Sequence, residues 1–415
     1  MRGVNSKTHA SNRKPPWRLN ASQGGFHSLH TPHFLTCRIK QKKLSATAIR
    51  KKMEWLLSLA DIKVGGRRPW DILVHNDNFY PRVLGSGSLG LGESYMDGWW
   101  DCPELDEFIF RIFRFDLENR VTSFQDYYDV VRARLFNLQK PSLASKAARH
   151  HYDIGNDLYR CMLDKLMMYS CGYWKDALNL DEAQEAKIDL ICRKLGVMKG
   201  MKILDIGCGW GGADRYIADK YGARVVGITV SREQARLAQE TCRGYPVEIR
   251  LQDYHELKGK FDRIFSIGMF EHVGYKNYRA FMKIVHGLLA KNGLFLLHTI
   301  GTNKTLTTTD PWIQRYIFPN AVLPSEKQIS DATEGRFVLE DWHSFGADYD
   351  KTLMQWYRNF SGNWKNIKDR HGERFFRMWK YYLLACAAAF RARKNQLWQL
   401  VLSPKGIVGG YRAPR

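Results

Sequence analysis

Lys202-Ile203-Leu204-Asp205-Ile206-Gly207-Cys208-Gly209-Trp210-Gly211-Gly212 is the stretch that decides the fold. Its first five residues form an apolar run of strand length, and an amphipathic helical pattern follows through Tyr221. The glycines between them permit a sharp turn and let a ligand approach bare backbone. Further strand-length runs occur at residues 224–228, 247–251, 263–267 and 294–299, with helical patterns between them. This alternation predicts an α/β fold, a Rossmann-like doubly wound sheet whose ligands sit beyond the carboxyl ends of the strands at the switch point.

By itself the loop is ambiguous, since Gly207, Gly209 and Gly212 also satisfy the dinucleotide pattern G-x-G-x-x-G. A dinucleotide site wants an acid at the end of the second strand to hold the ribose hydroxyls. That strand ends instead in Gly227-Ile228-Thr229-Val230. The acid here precedes the loop, at Asp205, an arrangement that resembles class I S-adenosylmethionine-dependent methyltransferases. Ser231 and Gln234 have the S-x-x-Q form of a capping box, so Ser231 is expected to begin a helix, and Gln234 can serve two roles. Gln252-Asp253-Tyr254 ends the third strand, where this fold places either an adenine-reading group or an ordinary polar loop.

At 415 residues the chain has room for a main domain and a smaller partner. The formal charge of +22 implies a polyanionic partner, nucleic acid or an anionic lipid surface. No Asp or Glu precedes Glu54, so residues 1–43 are read as a basic extension, expected to be disordered, with a targeting peptide or a misassigned start as alternatives. Residues 44–136 read as a small, mostly helical N-terminal domain punctuated by the glycines of 85–92. Residues 137–149 read as a linker and 150–415 as the catalytic domain, whose basic, aromatic-rich tail from about Tyr349 is expected to add helix. No apolar run approaches the roughly 18 to 20 residues of a membrane span, so membrane contact is expected to be peripheral. The eight cysteines are scattered without zinc spacing, which suggests free thiols in a reducing compartment and no metal.

Six further motifs point to one family. They are Gly87-Ser88-Leu89-Gly90-Leu91-Gly92-Glu93-Ser94-Tyr95-Met96-Asp97-Gly98-Trp99-Trp100, His151-Tyr152-Asp153-Ile154-Gly155-Asn156-Asp157-Leu158, Tyr169-Ser170-Cys171, Gly268-Met269-Phe270-Glu271-His272-Val273-Gly274, Leu297-His298-Thr299-Ile300-Gly301 and Phe345-Gly346-Ala347-Asp348-Tyr349. In this order and at these separations they resemble the bacterial cyclopropane fatty acid synthases from about Met53 to the C-terminus. The mycolic acid cyclopropane synthases are similar over the catalytic domain alone.

The resemblance implies methyl transfer from S-adenosylmethionine to a cis double bond of an unsaturated phospholipid acyl chain. It also implies a bound bicarbonate, held by Cys171, Glu271, His298 and Tyr349 with backbone help near Ile300, all expected at strand ends or loops. An anion beside Glu271 requires a protonated carboxyl or an offset charge. The cofactor residues it implies are Tyr169, Ser170, Gly207, Gly209, Thr229, Gln234, Gln252, Asp253 and Tyr254. Trp99, Trp100, Phe270, Tyr316 and Phe318 are candidate walls of an acyl tunnel, although aromatics at such spacing more often form core. The expected setting is cytoplasmic, peripheral on an anionic phospholipid bilayer surface, as a possible homodimer. One rival reading keeps the cofactor and methylates another lipid or a small amine. A nucleic-acid-binding reading lacks an RNA-recognition motif or zinc finger to support it, so no nucleic acid partner is expected.

Overall fold

The computed structural model describes residues 45–120 and 155–415. The basic extension at 1–43, the linker at 137–149 and residues 151–154 of the second motif lie outside the described residues.

The first described region is helical. It comprises α1 (Ala46–Ser58), α2 (Phe79–Met96) and α3 (Leu105–Arg114), with a short antiparallel ribbon of β1 (Leu73–Val74) and β2 (Trp100–Asp101). Of the glycines read as punctuation, Gly87 breaks the helix, its φ of 55° and ψ of −132° dividing α2 at a kink, while the others lie within helical turns. Their smallness permits close packing. A side chain at Gly92 would collide with the Trp312 indole.

The remainder forms an α/β layer. In chain order it runs α4 (Asn156–Met162), α5 (Leu180–Leu195), β3 (Lys202–Ile206), α6 (Gly212–Tyr221), β4 (Arg224–Thr229), α7 (Arg232–Thr241), β5 (Val247–Leu251) and β6 (Phe261–Ile267). There follow α8 (Phe270–Val273), α9 (Tyr278–Leu288), β7 (Leu289–Thr302), α10 (Pro311–Tyr316), α11 (Glu326–Thr333), β8 (Val338–Ser344), α12 (Ala347–Asn363), α13 (Lys368–Arg391) and β9 (Asn395–Ser403). Local chemistry sets several boundaries. Asn179 caps α5 by accepting from Glu182 N, Gly196 ends it in the left-handed conformation, and Ser231 caps α7 as its sequence pattern requires.

The sheet order is β5-β4-β3-β6-β7-β9-β8, parallel through β7 and antiparallel at β9 and β8. Strand order reverses between β3 and β6, which opens a crevice at their carboxyl ends. The five expected strands are all present, β4, β6 and β7 being longer than read. The tail, expected to be helical, contains α12 and α13 but also supplies β9, paired between β7 and β8. Cores form on both faces of the sheet. A third core joins the helices of residues 46–120 to α12 and α13, with Trp100, Phe108, Trp356 and Trp379 fully buried in it. The helical region is thereby held over the sheet's carboxyl edge by apolar burial, at about 2 to 3 kcal/mol for each large side chain removed from water.

Candidate active site

A cavity of about 200 Å³ opens where β3 and β6 part, and all nine cofactor residues expected from the sequence line it. The glycine loop turns through positive φ at Gly207 (104°), Gly209 (55°) and Gly211 (79°). Gly207 N and Cys208 N both donate to Ile228 O at 3.0 Å, pinning the loop to β4. Thr229 Oγ1 donates to Gln234 Oε1 at 2.9 Å, so Gln234 fills both roles, in the first turn of α7 and on the cavity wall. At the end of β5, Asp253 Oδ1 accepts from His255 N, and Tyr254 stacks on the His255 ring at 4.0 Å. Tyr169 and Tyr382 share a hydrogen bond of 2.8 Å between their hydroxyls.

Asp205, the acid before the loop, is buried beside Asp214. Burial first, then the Asp214 charge, raises the Asp205 carboxyl well above its usual range, and burial raises Asp214 to about 7. Two such carboxyls cannot both ionise, so the pair retains a proton.

A second, largely apolar cavity of about 500 Å³ extends from Glu271, His298 and Tyr349 to α1, α2 and α3, where Leu57, Val83 and Ile112 line it. This volume falls in the range of ligand cavities. The two cavities share Tyr169, Ser170, Gly268, His272 and Phe318 in their walls.

The four expected catalytic residues divide. Glu271, His298 and Tyr349 line the second cavity, whereas Cys171 is fully buried and absent from its lining. Cys171 Sγ donates to Gly172 O at 3.1 Å and lies 3.9 Å from Thr352 Oγ1. Nor do all four occupy strand ends or loops. His298 sits within β7, between Ile267 and Gln399 on the neighbouring strands, and Glu271 and Tyr349 occupy the first turns of α8 and α12. The Ile300 amide, expected to help hold an anion, donates to Glu271 Oε1 at 2.6 Å.

Electrostatics in this cavity follow from burial. It raises the Glu271 carboxyl to about 7, lowers His298 well below the usual imidazole value and lifts the Tyr349 phenol, with Cys171 adding to the last. His298 is therefore neutral. Gln399 Nε2 donates to His298 Nδ1 at 3.2 Å, which leaves the ring proton on Nε2. His298 Nε2 and Glu271 Oε2 are buried without hydrogen-bond partners. A buried donor and a carboxyl that shares a proton near neutrality suit a small oxyanion bearing its own hydroxyl, so these residues fit bicarbonate.

Sequence reasoning missed His272, which lines both cavities and whose pKa burial lowers to about 4. Its position directly after Glu271 was the available signal. It also missed Gln399, for which only strand pairing gives a signal. Of the candidate tunnel aromatics, Phe318 lines both cavities, Trp100 and Phe270 are core, and Trp99 and Tyr316 line neither.

The strand order and the glycine loop entered from Asp205 define a class I S-adenosylmethionine-dependent methyltransferase. Residues 139–400 match the family model described as mycolic acid cyclopropane synthetase. The chain is 55% identical over 361 residues to the cyclopropane-fatty-acyl-phospholipid synthase of Escherichia coli (strain K12), covering 87% of this chain and 94% of that protein. Among solved structures, the cyclopropane synthase MmaA2 from Mycobacterium tuberculosis is 30% identical with a TM-score of 0.59, covering 62% of this chain and 97% of that one. The mycolic acid cyclopropane synthase CmaA1, complexed with SAH and CTAB, is 33% identical with a TM-score of 0.58 and the same coverage. The chain belongs to the cyclopropane-fatty-acyl-phospholipid synthase family and is a methyltransferase enzyme.

Proposed function

We propose that the enzyme converts a cis double bond of an unsaturated phospholipid acyl chain into a cyclopropane ring. S-adenosylmethionine supplies the methyl group, and bicarbonate, when bound, supplies a base for the proton that the new methyl must lose. In balance, one alkene carbon bonds the methyl carbon as its bond to sulfur breaks, leaving S-adenosylhomocysteine and a cation on the other alkene carbon. Loss of a proton from that methyl lets its carbon close the ring.

The observation that carries this reading is the shared wall. Tyr169, Ser170, Gly268, His272 and Phe318 separate the cavity on the glycine loop from a larger and more apolar one with room for hydrocarbon. An alkene is a weak nucleophile, so positioning against the donor in a site free of water supplies much of the rate. The apolar walls exclude water that would trap the cation. With bicarbonate bound, His298 Nε2 would donate to it, Glu271 would share a proton with it, and Tyr349 would close the wall beside them. Cys171 is buried outside the lining of this cavity, near enough to influence the Tyr349 phenol electrostatically.

No helix among the described residues is long and apolar enough to cross a membrane. In this reading the substrate is reached from the bilayer surface, and the excess positive charge favours an anionic one. The test is to incubate the protein with labelled S-adenosylmethionine and vesicles of unsaturated phospholipid, then examine the acyl chains by mass spectrometry. Chains one methylene heavier that resist hydrogenation are expected. Label confined to the headgroup would overturn the reading.

A further inference from the structure

Lys187 is completely buried on α5, behind the walls of both cavities and among the lining residues of neither. Among the described residues no carboxylate pairs with it. Its Nζ donates to two neutral acceptors, Ser170 Oγ at 2.7 Å and Gln184 Oε1 at 2.6 Å. Gln184 in turn donates through Nε2 to Ser170 O at 2.8 Å, so the pair fixes both the backbone and the hydroxyl of Ser170. Burial lowers the Lys187 pKa to about 8, offset in part by Asp164, Cys171 and Asp205 at longer range. A buried ammonium without a contacting counter-charge is costly, and an anion received nearby would offset that cost.

The geometry settles what Ser170 can offer. A hydroxyl has one hydrogen, and because the Lys187 ammonium has only hydrogens to give, Ser170 Oγ must accept from it. The Ser170 hydrogen is then free to point at whatever occupies the cavity. Asp205, whose carboxyl shares a retained proton with Asp214, lines the same cavity and offers it a carboxyl oxygen as an acceptor. A donor backed by positive charge and an acidic acceptor in one cavity are complementary to an amino-acid zwitterion. The amino-acid end of S-adenosylmethionine carries one.

We propose that Lys187 is a positioning residue for the carboxylate of S-adenosylmethionine: it turns the Ser170 hydroxyl into a donor aimed at that carboxylate and supplies its counter-charge, while Asp205 receives the ammonium. This rests on the cofactor cavity being the donor site. It goes further in assigning the direction in which the donor lies and a buried residue that selects it.

The experiment compares binding of S-adenosylmethionine and decarboxylated S-adenosylmethionine, which keeps the ammonium and sulfonium, to the full chain and to Lys187→Met by calorimetry. The native protein is expected to favour the intact compound by about tenfold or more, the scale of one charge-assisted hydrogen bond. In Lys187→Met that preference should vanish because the intact compound alone weakens. Equal weakening of both ligands, the signature of a merely structural lysine, would overturn the assignment, as would a native protein that does not discriminate. Should Lys187→Met fail to fold, Ser170→Ala with the same two ligands decides, since it removes the aimed donor and must shrink the same preference. Failure of the native protein to bind either compound would overturn the cofactor reading along with it.

Discussion

Gln399 on β9 donates through Nε2 to His298 Nδ1 on β7 at 3.2 Å, and this one contact sets which ring nitrogen faces the cavity with a proton. Replacing Gln399 with Leu keeps the volume but releases the ring, so the neutral histidine loses its preference for the Nε2 proton. The expected result is a kcat lowered by about 10²-fold, the usual effect of removing one preorganised donor. Affinity for S-adenosylmethionine should hold, because Gln399 lines neither cavity. Steady-state kinetics and calorimetry on Gln399→Leu check both halves.

This pair also shows why part of the site escaped sequence reading. The glycine loop, Thr229 and residues 252–254 were legible because they end β3, β4 and β5, and strand ends converge by topology, with Gln234 following in the first turn of α7. Gln399 reaches His298 only through pairing of β9 between β7 and β8, a non-local event within a tail whose neighbouring segments are helical. The run 338–344 was missed as well, since its first two residues are exposed and it presents no continuous apolar stretch. Among the glycines of α2 the break at Gly87 was legible and the helical setting of the others was not. Glycine favours turns in isolation, but at Gly92 packing against Trp312 makes smallness an asset inside a helix.

Bicarbonate dependence follows from the buried partnerless atoms of His298 and Glu271. Ring formation should slow several-fold in buffer stripped of carbon dioxide and recover when bicarbonate is added. His298→Ala should lose most of its activity and recover little at the same concentrations. Rates unaffected by rigorous depletion would remove bicarbonate from the mechanism.

The Glu271 carboxyl, raised by burial from 4.5 to about 7, makes a signed prediction for stability. The folded protein prefers the protonated form. Its contribution is complete below the unfolded pKa and is lost as pH rises through about 7. Relative to Glu271→Gln, the native protein should therefore lose stability between pH 4.5 and 7, by roughly 3 kcal/mol in total. Denaturant midpoints measured across that interval test it. Infrared difference spectra should show a protonated-carboxyl band that persists through the acid range, fades as pH rises through about 7 and is missing in the variant.

Gly209 separates folding from binding. Its φ of +55° is left-handed, and no heavy atom of the protein lies within 4 Å of the place a Cβ would occupy. Gly209→Ala should cost about 1 to 2 kcal/mol of stability from backbone strain alone. Because the glycine lines the cofactor cavity, its affinity for S-adenosylmethionine should fall further, by about tenfold or more, as the methyl group blocks close approach to the backbone. Melting curves with and without cofactor distinguish the two losses.

The apolar cavity can be filled without touching the cofactor. Ile112 on α3 lines the larger cavity, whereas no residue before Met167 lines the smaller one. An indole at this position projects bulk into space reserved for hydrocarbon, at a folding cost of about 1 to 3 kcal/mol for overpacking. Ile112→Trp should thus bind S-adenosylmethionine with native affinity yet modify long-chain unsaturated phospholipid at least about tenfold more slowly, since a misplaced acyl chain forfeits the alignment that drives the reaction. Comparing a long-chain with a short-chain phospholipid tests this directly. If the N-terminal helices bound the acyl chain, the short chain should suffer less. Equal loss on both would mean that this cavity does not house the substrate tail.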